Sequence, residues 1–135
     1  MLSGVARRTS AQDRADPSTL VFHRFGQEWR RIFPEPGVDV VHHAPAPLRS
    51  DFGEVPPAQI YDWARTNVPA SAEAVVIGGN GLRAIGAIEA LEESFDRPVL
   101  SANQVALWHA LRLAGIDAPV NRYGRIFAAG LPADA

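Results

Sequence analysis

The segment that most constrains this chain is Ala74–Ile77, an uninterrupted apolar run that passes straight into Gly78-Gly79-Asn80-Gly81. A strand whose side chains do not alternate between apolar and polar is covered on both faces, as in a parallel sheet. After the glycines, Leu82, Ile85, Ala87, Ile88 and Leu91 recur at helical spacing to about Phe95. Strand, glycine turn and helix in that order define a βα unit. Parallel strands joined by right-handed crossovers then follow as the simplest architecture.

The rest of the chain repeats this alternation. Leu20, Val21, Phe22 and His23 form a short β-type run, and Phe25, Trp29 and Phe33 then share one helical face. Pro34 and Pro36 end that helix, and Val38–His43 is a further run of strand length. A proline-rich loop leads to Pro57, which suits the first position of a helix in which Ile60, Trp63 and Ala64 share a face. Val99-Leu100 reads as a short strand. Ser101-Ala102-Asn103-Gln104 opens a final helix, which Gly115 closes. The expected fold is a three-layer α/β/α domain with about four parallel strands, spanning residues 19–128. Residues 1–18 read as a disordered N-terminal extension and 129–135 as a C-terminal tail.

Composition removes many functions. The 135 residues are 47% hydrophobic and 21% charged, enough for one domain with a real core. There is no cysteine, and all 13 basic residues are arginine. Disulfides, thiolate metal sites, cysteine nucleophiles, Schiff-base lysines and the phosphate-loop lysine are therefore excluded. A net charge of −2 argues against a general nucleic-acid binder. No apolar run approaches the ~20 residues of a membrane helix, and the start lacks the apolar stretch of a secretory signal. A cytoplasmic location is the expectation.

Ligands of open parallel sheets bind beyond the carboxyl ends of the strands. Gly79, Asn80 and Gly81 fall there after one strand, and Ser101 and Asn103 fall there after the next. Bare backbone near a helix N-terminus favours a small anion such as a carboxylate or phosphate. The same residues are also explained as a tight βα turn and a helix cap. Gly79–Ala84 matches the G-x-G-x-x-A dinucleotide fingerprint, but Val99-Leu100-Ser101 lacks the acid that the fingerprint needs on the next strand. Arg83, just after the turn, can pair a carboxylate or bridge to Glu89 or Glu92. His23, His42 and His43 end strands, yet no metal-ligand spacing accompanies them, and no metal or cofactor is expected.

Several segments together resemble the aspartate/glutamate racemase superfamily, in its maleate cis–trans isomerase and arylmalonate decarboxylase branch. They are the βα unit from Ala74, the run Arg97–Trp108, Leu111–Gly115, and Tyr123-Gly124-Arg125-Ile126-Phe127. The resemblance covers about residues 20–127 and corresponds to the C-terminal lobe. It implies one of two facing α/β lobes, with a cofactor-independent site between them that uses cysteine for proton transfer. Backbone amides and small hydroxyls would bind the substrate carboxylate, and a tyrosine would assist.

The chain departs from that pattern. The cysteine position carries Gly79, the tyrosine position falls at Phe22 or His23, and the N-terminal lobe has no counterpart. Glycine cannot shuttle a proton. The expectation is a truncated or degenerate lobe, catalytically impaired, that retains a carboxylate-binding turn made by Gly79, Asn80, Gly81, Arg83, Ser101 and Asn103. The alternative is a cofactor-independent isomerase, racemase or decarboxylase. It would assemble as a homodimer or with a second lobe-bearing chain, with His23 as the catalytic base.

Overall fold

The computed structural model describes residues 6–7, 19–22, 38–44, 52–78 and 81–132. Among the described residues, six strands fall in two sheets. β1 (Ala6–Arg7) pairs antiparallel with β3 (Val38–Asp39). β2 (Thr19–Phe22), β4 (His42–His43), β5 (Ala74–Ile77) and β6 (Val99–Ser101) form a parallel sheet in the order β4-β2-β5-β6. Among the described residues three helices accompany them: α1 (Pro57–Asn67), α2 (Ile85–Phe95) and α3 (Ala102–Leu113). Short 3-10 turns lie at Phe52–Glu54 and Arg125–Ala128. The α/β class and the four parallel strands are as the sequence implies.

Two expectations need adjustment. Val38–His43 is not one strand: its first two residues join the small antiparallel sheet and its last two the parallel one. Helix α2 begins at Ile85, not Leu82, because Leu82 and Arg83 belong to the turn that precedes it. The aromatic stripe of Phe25, Trp29 and Phe33 lies outside the described residues.

The core forms where the central strands meet α1 and α2. Val75, Ile77, Ile88, Leu91 and Val99 are the largest fully buried side chains. Ile60, Ala64, Ala84 and Ala87 join them; of the helix faces read from periodicity, Ile60, Ala64, Ala87, Ile88 and Leu91 are buried, Trp63 and Leu82 half-buried, and Ile85 exposed. Small residues allow close approach: a Cβ on Gly86 would come within 2.7 Å of Pro57 Cγ, across the α1–α2 contact. Pro57 takes the first position of α1, where its missing N–H costs nothing.

The last helix is bounded on both sides by local chemistry. Ser101 and Gln104 form a capping box, in which the Ser101 N–H donates to Gln104 Oε1 at 3.0 Å. At the other end, Gly115 has φ +72°, its N–H reaches Arg112 O at 3.0 Å, and the Ile116 N–H reaches Leu111 O at 2.9 Å. That is the Schellman closure expected of a glycine at this position.

Candidate functional site

Strand order and register fix where the site can lie. The pairs Phe22↔Ile77 and Ile77↔Ser101 form the last row of the central sheet. From β2 the chain moves to one side, to β4, whereas from β5 it moves to the other, to β6. The switch point of the sheet, where ligands of open parallel sheets bind, therefore lies at the carboxyl ends of β2 and β5. The buried Gly78 follows β5 at this point.

Beside it lies a cavity of about 400 Å³, between the start of α2, the start of α3 and residues 120–127. Leu82, Ile85, Leu107, Val120, Tyr123 and Phe127 form its apolar wall, and Ser101, Asn103 and Gln104 its polar end. Tyr123 is carried there by the residues after α3, held by a hydrogen bond from Gln104 Nε2 to its carbonyl oxygen. Gly124 is what lets that segment pass. Its φ is +100°, and a Cβ there would lie 2.8 Å from Ile88 Cγ2. Glu92, buried on α2, accepts the Val99 N–H at 3.1 Å and the Arg125 N–H at 2.8 Å, and so ties β6 and this segment to one helix.

The structure brings together some of the expected site residues. Ser101 and Asn103 share the cavity; Gly81 and Arg83 are exposed and are not among its lining residues. Gly79, Asn80 and His23 lie outside the described residues. Ser101 is buried and works as the N-cap of α3, the structural role also open to it from sequence. Among the described residues, Arg83 forms no ion pair with Glu89 or Glu92. His42 and His43 are half-buried and engaged in interactions, and no group of three metal-ligating side chains occurs among the described residues. No helix there is long and apolar enough to cross a membrane.

Sequence reasoning placed Gln104 in the segment after β6 without giving it a role, and missed Leu107 and Tyr123. The signal for Gln104 was available, because serine followed three residues later by glutamine is a capping box. Tyr123 belongs to the NRYGRIF stretch, which carried a resemblance but no stated role.

A parallel α/β lobe with the buried Gly78 at the switch point of its sheet is the class that fold and site define. Comparison with protein families matches residues 50–127 to arylmalonate decarboxylase, and the chain belongs to that family. Similar solved structures agree on the fold. One is a glycine-to-cysteine mutant of arylmalonate decarboxylase in a sulfate-associated form, with TM-score 0.70 and 22% identity, covering 83% of this chain and 52% of that one. Another is unliganded arylmalonate decarboxylase, with TM-score 0.70 and 22% identity, covering 82% and 51%. A third arylmalonate decarboxylase gives 0.61 and 24%, covering 67% and 42%. The chain thus spans about half the length of the structures it matches. No curated protein matches its sequence.

Proposed function

We propose that this chain is a decarboxylase- or isomerase-type lobe that binds a small carboxylate at the turn after β5 and is impaired in proton transfer. The observation that carries the reading is the strand order β4-β2-β5-β6, with a glycine turn where the chain changes direction. Gly79, Asn80 and Gly81 would offer backbone N–H groups to one carboxylate. Arg83, Ser101 and Asn103 are the neighbouring side chains that would complete the contact. The impairment follows from composition: there is no cysteine, and Gly79 has no group that can exchange a proton.

The test combines binding with turnover. Malonate titrated into the full chain should shift the amide resonances of Gly78 to Gly81 saturably. The same preparation should release no carbon dioxide from an arylmalonate, and consume no maleate, above the buffer rate. Malonate that leaves those amides unmoved would remove the binding half of the reading.

Measurable turnover would instead favour a second reading, a cofactor-independent enzyme completed by another copy or by a second lobe-bearing chain. Coverage of about half of each matched structure supports considering it. In that case light scattering should give a dimer, and His23→Ala should lower the rate by about 10²-fold or more, as for loss of a general base.

A further inference from the structure

The cavity between α2, α3 and residues 120–127 differs chemically from the proposed carboxylate site after β5. None of its described lining side chains carries a charge. Its polar end is largely bonded within itself: Ser101 and Gln104 cap each other, and the Gln104 amide also donates to the Tyr123 carbonyl. In the capping box the Ser101 hydroxyl accepts the Gln104 backbone N–H, which leaves its own O–H as a donor. The wall, in contrast, is apolar and open. Ile85, Leu107 and Tyr123 are 39%, 52% and 48% exposed, so three large side chains face the mouth without cover from the described residues. At about 400 Å³ the cavity falls in the range of small-molecule sites, which are mostly apolar with a few placed polar groups.

We infer that this cavity is a binding site for an uncharged aromatic compound bearing a single hydroxyl or carbonyl oxygen. Its ring packs against Leu82, Leu107, Tyr123 and Phe127, and its oxygen meets the Ser101 hydroxyl. An aromatic ring stacks on the Tyr123 phenol and buries area against the aliphatic wall. A carboxylate entering the same space gives up its hydration with no cation to replace it. The cavity shares Ser101 and Asn103 with the proposed carboxylate contact and adds to them an apolar wall of Leu82, Leu107, Tyr123 and Phe127 that Gly78 and Gly81 do not line.

The experiment is a titration of the full chain with 4-methylphenol, followed by amide and methyl NMR at pH 7. At that pH a phenol is neutral and 4-methylbenzoate is ionised. Saturable shifts at Leu82, Ile85, Leu107 and Tyr123 are expected, with a dissociation constant of about millimolar or tighter. Binding should be at least tenfold weaker for 4-methylbenzoate, and at least tenfold weaker for 4-methylphenol in Leu107→Trp, whose ring fills the cavity. Leu107 is half exposed, and far-UV circular dichroism checks that this variant folds. The phenol-to-benzoate ratio in the unmodified chain decides the matter without it. Non-saturable phenol shifts, or equal or tighter benzoate binding at the same residues, would overturn the proposal. Malonate shifts are read at Gly78 to Gly81 and phenol shifts at Leu82, Leu107 and Tyr123, so failure of one reading is distinguishable from failure of the other.

Discussion

At the scale of single residues, two positions near the cavity hold backbone in place, one by lacking a side chain and one by having it. Gly124 combines a positive φ of +100° with a Cβ direction that points 2.8 Å from Ile88 Cγ2. Gly124→Ala meets both a conformational penalty and an overpacked neighbour, each typically worth about 1–3 kcal/mol. A loss of about 3 kcal/mol in urea unfolding is the expected outcome. Ser101 is the opposite case. Its hydroxyl satisfies a helix N–H, so Ser101→Ala should cost about 1 kcal/mol. Ser101→Thr keeps that oxygen and should retain most of the stability. An equal loss in both variants would show that the hydroxyl is not what holds the helix end.

At the scale of elements, the contact between α1 and α2 sets the back wall of the core. Alanine is favoured over glycine inside a helix by about 1 kcal/mol. Gly86→Ala should nevertheless destabilise, because the added Cβ meets Pro57 Cγ at 2.7 Å and overpacking costs about 1–3 kcal/mol. Adding Pro57→Ala removes the obstructing ring. A double-mutant cycle should therefore give a favourable coupling of about 1 kcal/mol; additivity would mean the helices simply move apart. Elements of this kind were legible from sequence where the signal was local. The apolar run Ala74–Ile77, Pro57 opening a helix and Gly115 closing one all express side-chain or φ preferences at the site itself. What depended on a distant partner was not legible. Val38–His43 reads as a single run, since nothing in VDVVHH tells that Val38–Asp39 meets Ala6–Arg7 while His42–His43 meets Leu20 and Val21. Leu82 fits the helical period of α2 but stands ahead of its first turn, in the wall of the cavity. Periodicity reports an apolar position without saying what covers it.

At the scale of the whole molecule, the cavity exists because residues after α3 fold back over α2 and α3, and a buried arginine bonds three carbonyls beyond it. Arg112 lies near the end of α3 and is 8% exposed. Its Nε donates to Ala129 O at 3.0 Å and its Nη1 to Ile116 O at 2.7 Å, while Nη2 reaches Phe127 O. Asp117 offers a carboxylate at 3.6 Å, almost fully exposed and so weakly felt. Trp108, one turn earlier, adds its Nε1–H to the same Ala129 carbonyl at 2.9 Å. The sequence showed an arginine on a helix and a loop ending in NRYGRIF. The planar fork that joins them is a tertiary fact, since one guanidinium reaches three carbonyls that are 4, 15 and 17 residues away. Lysine, with a single ammonium, cannot span them. Arg112→Lys should therefore behave much like Arg112→Met, each losing about 3 kcal/mol as charge-assisted bonds disappear. The loss should also be local before it is global. Amide exchange at residues 116–129 should accelerate more than at Val75 or Ile88, and the cavity that binds 4-methylphenol should weaken with it. If exchange instead rises uniformly across the chain, the arginine serves the core as a whole, and the returning segment is held by its other ties, among them those to Gln104, Glu92 and Trp108.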